Sequence, residues 1–268
     1  MTSKYELGII GAGQMAEAIV RGAIRGGVLK AKGILAADPS TERRRAFEAM
    51  GVACSADNAA AAACPRVLLA VKPQVMPAAL SEIAQAVRAD ATVISIAAGV
   101  TAAAIDKALA GRGRIVRVMP NTPILVGYGA SAIAAGPRAT EADLKWTENL
   151  FAAGGLVCRV AENLMDAVTA VSGSGPAYFF YLVEAMVAAG VAEGLDEKTA
   201  RALAAATCAG AGKMLTETAE SPQALRAKVT SPGGTTQRAV ETLEAAKVKD
   251  ALIAAIRAAA ARSRELGK

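Results

Sequence analysis

The chain has 268 residues, 53% of them hydrophobic but only 3% aromatic, with 30 Lys and Arg against 24 Asp and Glu and no histidine. That length allows one large or two moderate domains with a core of Ala, Val, Leu and Ile, while the missing histidine excludes imidazole-activated nucleophiles, His-dependent zinc sites and His proton relays. The net charge of +6 is spread along the chain with no basic run among aromatics, which argues against nucleic acid and for a mild attraction to small anions.

The first predicted strand, Glu6–Ile10, runs into Gly11-Ala12-Gly13-Gln14-Met15-Ala16 and then a helix over Met15–Gly26. A dinucleotide pyrophosphate needs this order of strand, glycine turn and helix. Gly11 permits the tight turn and Gly13 leaves room for phosphate. The helix N-terminus supplies free N–H groups and partial positive charge. Ala16 stands where the usual pattern has a third glycine for close helix–strand packing. The string alone is weak; its placement gives it weight.

Further strands are predicted at Gly33–Ala37, Val67–Val71, Thr92–Ile96, Arg114–Val118, Ala130–Ala134 and Leu156–Val160. They alternate with helices over Thr41–Met50, Met76–Val87, Thr101–Leu109 and Glu141–Ala153. This alternation implies an α/β, Rossmann-like doubly wound sheet. Three strands end in loops ill suited to packing: Lys72-Pro73-Gln74, Ala97-Ala98-Gly99 and Met119–Pro123. Ligands of open parallel sheets lie beyond the carboxyl ends of the strands, so these loops are expected to face one crevice with Gly11. Ordinary turns explain each loop singly, and the set less well.

The second strand ends at Asp38. An acid there usually hydrogen-bonds the ribose 2′-hydroxyl of NADH and repels the 2′-phosphate of NADPH. Arg43, Arg44 and Arg45 follow, and one of them reaching a 2′-phosphate would argue the other way. A helix-start turn at Asp38-Pro39-Ser40 and a solvated helix face are the bland alternatives.

Beyond about residue 161 no strand is predicted, and apolar residues recur at helical spacing: Leu182, Met186, Ala189; Ala202, Ala206, Ala209; Leu225, Val229; Leu252, Ile256, Ala260. Residues 1–161 are therefore read as the dinucleotide-binding domain and 162–268 as an all-helical C-terminal domain. Ser221-Pro222 reads as an N-cap followed by Pro at the first helical position. The tract Ala167–Ala192 has membrane-span length, but Ser172–Pro176 interrupts it and it carries Glu184, so a buried core helix is expected and no membrane contact. Residues 1–10 lack signal-peptide character. Cys54, Cys64, Cys158 and Cys208 form no metal-ligand spacing, which suits a cytoplasmic, reducing setting and no metal. The helical half holds more apolar surface than a small bundle buries, so dimerisation through it is expected.

The second informative segment is Val229-Thr230-Ser231-Pro232-Gly233-Gly234-Thr235-Thr236, followed by a helical run. The glycines free the backbone to turn, Thr235 or Thr236 can cap the helix, and the exposed N–H groups form an anion pocket. A plain capped helix is the alternative, yet capping needs one Ser or Thr and no Gly-Gly.

Together Gly11–Ala16, Ala70-Val71-Lys72-Pro73, Ser95–Gly99, Val118–Pro123, Val171–Tyr178 and Ser231–Thr236 resemble the pyrroline-5-carboxylate reductase family, in order and along the whole chain. The resemblance implies reduction of a cyclic imino acid to proline, the last step of proline biosynthesis, with NADPH or NADH. It also implies a helical domain that forms a homodimer, with rings of dimers as larger assemblies, and a site completed across the subunit interface. Cofactor contacts are implied at Gly11, Ala12, Gly13, Gln14 and Met15, at Asn58, at Ala70, Val71, Lys72 and Pro73, and at Ala97, Ala98 and Gly99. Substrate contacts are implied at Glu162, Ser231, Gly233, Gly234, Thr235 and Thr236. The chemistry adds the Thr236 hydroxyl as partner of the ring nitrogen, with Glu162 acting through water. Many members of the family carry a small hydroxyl residue where Asp38 stands and favour NADPH, so the resemblance leans to NADPH while Asp38 argues for NADH. Lys72 invites comparison with catalytic lysines but lies on the cofactor side of the motif. Two other readings remain: an NADP-linked oxidoreductase of the 3-hydroxyacid dehydrogenase type, and a non-catalytic dinucleotide-binding sensor.

Overall fold

The computed structural model describes residues 4–267. The chain runs through β1 (Leu7–Ile10), α1 (Gln14–Arg25), β2 (Ile34–Ala37), α2 (Thr41–Glu48), β3 (Ala53–Ser55), α3 (Asn58–Ala62), β4 (Arg66–Leu69) and α4 (Met76–Ile83). It continues through β5 (Thr92–Ser95), α5 (Ala102–Ala108), β6 (Arg114–Met119), β7 (Gly129–Ala135), α6 (Glu141–Ala152), β8 (Gly155–Arg159) and α7 (Met165–Val168). The strands form one sheet in the order β3-β2-β1-β4-β5-β6-β7-β8, parallel except for the antiparallel pair β6–β7. This is the expected doubly wound α/β sheet, and its reversal of strand order at β1 opens a crevice at the carboxyl edge.

The all-apolar strand β1 is buried on both faces, as a central parallel strand must be. Alternate side chains feed two cores. Leu7 and Ile9 join Ile19, Phe47 and Phe151 on one side, while Ile10 joins Leu69, Leu80 and Ile105 on the other. Between them Gly8 carries no side chain because a Cβ would sit 1.8 Å from the Ala61 carbonyl oxygen. Helix α3 thus lies directly on the strand.

Three expectations need correction. Strand β3 was not anticipated: three residues, Ala-Cys-Ser, carry neither β-branched side chains nor alternation. Helix α4 ends at Ile83 instead of Val87, because the Ala86 and Val87 amides both turn back to the Ile83 carbonyl. Ser172–Pro176 does not break the apolar tract. The backbone widens into one π-helical turn over Thr169–Gly173 and resumes as α8 (Gly175–Ala192).

The outer helix α6 is locked to the sheet by a polar cluster. Thr140 and Asp143 form a reciprocal capping box, and Arg114 on β6 donates to both Asp143 oxygens at 2.7 and 2.9 Å while Thr92 on β5 donates to the same carboxylate. Burial would raise the Asp143 pKa, but the bonds from Arg114, Thr140 and Thr92 outweigh it and hold the carboxyl well below the usual range. A depressed folded pKa stabilises above the unfolded value, so this contribution is complete at neutral pH and fades as pH falls below about 4. Asp143→Ala is expected to cost about 3 kcal/mol at neutral pH, with the deficit shrinking in acid, measured by urea unfolding across pH.

The chain divides into two compact units, one ending at Ser174 but including the stretch from Ala259 onward, the other Gly175–Ala258. In the second unit α8 packs on α9 (Glu197–Glu217) through small residues: a Cβ on Gly190 would meet the Ala200 Cβ at 3.2 Å. The side chains facing inward on α9 are Ala200 and Ala204, whereas the periodic residues Leu182, Met186, Ala202 and Ala206 are exposed. Helices α10 (Pro222–Lys228), α11 (Thr235–Ala245) and α12 (Val248–Leu266) follow, and Ser221 caps α10 by accepting from the Ala224 amide, as expected. The expected buried core helix is corrected as well. The continuous helical stretch Glu162–Ala192 that ends in α8 is long and apolar enough to cross a membrane, yet Gly175 is the one buried residue of α8 in the single chain, because two packed helices cannot enclose it.

Candidate functional site

The first candidate site is a cleft of about 480 Å³ at the carboxyl edge of the sheet. Gly11, Gly13, Asp38, Asn58, Ala70, Val71 and Lys72 all line it, joined by Pro39, Ala56, Val75 and Glu82. Gly11 adopts φ +93°, and a Cβ there would sit 2.9 Å from Val71 Cγ1, so the turn itself demands glycine. Gly13 is different. Its φ is −70° and an added Cβ meets nothing within 4 Å. No contact within the chain requires a glycine there, and the space a side chain would fill is open.

Gly13 is also the N-cap of α1 and offers no side-chain acceptor, so the first amides of a 12-residue helix point outward uncapped. Ala16 is fully buried against the sheet, consistent with the packing role of the third small residue. These features fit a dinucleotide: a bare helix N-terminus for the pyrophosphate and an acid at the end of β2 for a ribose.

The structure does not gather every expected cofactor residue into this cleft. Ala12 is fully buried and acts through its backbone, Gln14 is exposed on the first turn of α1, Met15 packs partly against the core, and Pro73 opens the turn into α4. Ala97, Ala98 and Gly99 sit at the same sheet edge after β5 but outside the cleft lining. Gly99, with φ +76°, lies under the end of α12, where a Cβ would come 2.8 Å from the Leu266 Cβ. Asn121, in the loop after β6, is spent on tethering: its side chain donates to the Ser172 carbonyl and accepts from the Ala130 amide.

Glu162, expected at the substrate, follows β8 and accepts from the Ala102 amide at the start of α5 (2.7 Å) and from buried Arg117 (3.2 Å), both through Oε1. Glu82 was not anticipated. It accepts from the Asn58 side chain at 2.8 Å across the cleft wall, a partnership between α3 and α4 that no motif marks.

The second candidate site is the N-terminus of α11. The cap is Gly234, not a threonine as expected. A Cβ on Gly234 would meet Ser231 Oγ at 2.7 Å, and Gly233 has φ +71° in open space. Thr235 and Thr236 therefore occupy the first helical positions with hydroxyls that, among the described residues, make no hydrogen bond within the chain. Gln237 accepts from the Gly233 amide at 2.7 Å and is itself oriented by Glu241. The result is a hydrogen-bonded glycine turn, free amides at the start of α11 and two uncommitted hydroxyls, suited to a small carboxylate with a neighbouring polar atom.

A Rossmann-type oxidoreductase fold with a helical C-terminal extension is the class these features define. The sequence profile described as "NADP oxidoreductase coenzyme F420-dependent" matches residues 6–99, and the one described as "Pyrroline-5-carboxylate reductase dimerisation" matches residues 162–266. The pyrroline-5-carboxylate reductase of Methanosarcina acetivorans is 43% identical over 265 residues, covering 98% of each chain. The solved pyrroline-5-carboxylate reductase of Coxiella burnetii superposes with a TM-score of 0.90 at 38% identity, covering 99% of each chain. That of Plasmodium falciparum, solved with NADP bound, gives 0.89 at 28% identity over 100% of each. The chain belongs to the pyrroline-5-carboxylate reductase family.

Proposed function

We propose that this protein reduces 1-pyrroline-5-carboxylate to L-proline with NADPH or NADH, the last step of proline biosynthesis. The observation that carries the reading is a pair of glycine turns opening onto uncapped helix N-termini, at Gly13 and at Gly233–Gly234, in a chain that matches 98% of a pyrroline-5-carboxylate reductase relative.

The substrate is a five-membered cyclic imine bearing a carboxylate, electrophilic at carbon when its nitrogen is protonated. The bound reduced nicotinamide supplies the hydride. The residues of this chain bind and orient. The free amides at the start of α11 receive the substrate carboxylate, with Ser231 and Thr235 at the rim, and the Thr236 hydroxyl accepts from the protonated ring nitrogen. Glu162, held by Ala102 and Arg117, adds a carboxylate on the substrate side through water. Gly11–Met15, Asn58, Ala70–Pro73 and Ala97–Gly99 position the dinucleotide. No strong general base is needed, which is how a chain without histidine suffices.

Phe179, Phe180, Tyr181 and Leu182 are 55–76% exposed in the single chain, a patch that a second copy would cover. A homodimer formed through the helical unit, with rings of dimers above it, in the cytoplasm, is the assembly we assign. Sedimentation at micromolar concentration is expected to show no monomer; a stable monomer removes the assignment.

The decisive assay follows reduced-nicotinamide absorbance with the cyclic imine and each cofactor. Oxidation that depends on the imine is expected. Cofactor binding with no turnover would point to a sensor, and turnover of hydroxyacids alone to the dehydrogenase reading.

A further inference from the structure

The Ala12 peptide, in the middle of the glycine turn, is gripped from both sides by the segment that follows β2. Its N–H donates to Asp38 Oδ2 at 2.8 Å, and its carbonyl accepts from Arg43 Nε at 2.6 Å. Asp38 Oδ1 accepts from the Ser40 amide at 2.8 Å. A carboxylate has about four acceptor positions, so two backbone bonds leave it able to take a ribose hydroxyl. Asp38 lines the cleft beside Gly11 and Gly13.

The arginines that could offset this negative charge are committed elsewhere. Arg43 also pairs with Glu17 at 2.8 Å, and Glu17 is shared with Arg21. Arg44 donates to the Asp38 and Pro39 carbonyls and to the Thr41 hydroxyl. Neither these two nor exposed Arg45 lines the cleft. The cation that does is Lys72, after β4, on the far side of β1 from β2.

We propose that Asp38 selects NADH over NADPH in this protein, with Arg43 serving as a positioning residue for the glycine turn and not as a 2′-phosphate ligand. The inference rests on reading the cleft as the nicotinamide-dinucleotide site and deepens it. An ionised carboxylate accepts from the 2′-hydroxyl of NADH and opposes the dianionic 2′-phosphate of NADPH.

The test is calorimetric titration of the full chain with NADH and NADPH separately, scored as the Kd for NADPH divided by the Kd for NADH. The parent is expected to bind NADH about tenfold more tightly or better. Asp38→Asn, which keeps an acceptor for the Ala12 amide without the charge, and Asp38→Ser are each expected to move the ratio roughly tenfold toward NADPH. Arg43→Ala is expected to weaken both cofactors by the same factor. General damage to the turn affects both cofactors alike, so the ratio stays readable. Equal or tighter NADPH binding by the parent overturns the proposal. So does a ratio unmoved by either Asp38 variant, a loss of all binding in both of them, or a selective loss of NADPH in Arg43→Ala. Imine reduction with a ratio at or below one sinks this inference alone; binding of neither cofactor sinks the enzymatic reading with it.

Discussion

A Gly13→Val variant is expected to fold and to lose roughly 100-fold in affinity for both NADH and NADPH, the ~3 kcal/mol that a few lost phosphate–amide hydrogen bonds represent. At φ −70° with no atom within 4 Å of an added Cβ, the side chain starts into open space. The folding cost is that of a β-branched N-cap, about 1 kcal/mol. The parallel change Gly11→Val should instead destabilise the protein itself, because φ +93° and the Val71 contact at 2.9 Å oppose any side chain there. Thermal denaturation and cofactor titration of the pair separate the two roles. Undiminished affinity in Gly13→Val would mean that no phosphate approaches this turn.

Thr236→Ala is expected to lower kcat/KM by about 10- to 1000-fold, the range for removing one polar contact to the reacting group. Thr236 lies in the first turn of α11, where alanine is the better helix former and the hydroxyl holds nothing in the chain. Stability should therefore stay level or rise slightly, and dinucleotide affinity should not move. Steady-state kinetics with the imine, alongside cofactor titration, reads both. Turnover like the parent's would shift the ring-nitrogen partner to another residue, with Glu162→Gln as the next variant to measure.

The sheet was readable in the chain because short strands rich in Val, Ile and Leu alternate with Ala-rich helical runs, and the first of them, Leu7–Ile10, is closed by Gly11. β3 was not, since Ala53-Cys54-Ser55 becomes a strand only by pairing with β2. Gly11 and Gly13 were legible as a motif, but their different reasons for being glycine emerge only from the neighbours each would strike. The cap of α11 was misassigned to a threonine because local preference favours hydroxyls, while the close approach to Ser231 requires Gly234. The bonds from Asp38 and Arg43 to Ala12 span 26 and 31 residues, and Asn58 reaches Glu82 across 24. Side-chain partnerships at that distance leave no periodic trace. Similarly, the apolar spacing of α8 announces a helix but not that its apolar face stays exposed in the single chain.

The end of α12 lies against Gly99, and Ser263 is buried with its hydroxyl donating to Asp166 at 2.6 Å. The compact unit that holds the sheet is therefore finished by residues made after Gly175–Ala258. During synthesis the sheet can assemble early, but the loop after β5 stays without its lid until the last turns leave the ribosome. A chain stalled at residue 258 would carry all eight described strands and still lack the residues that complete their unit.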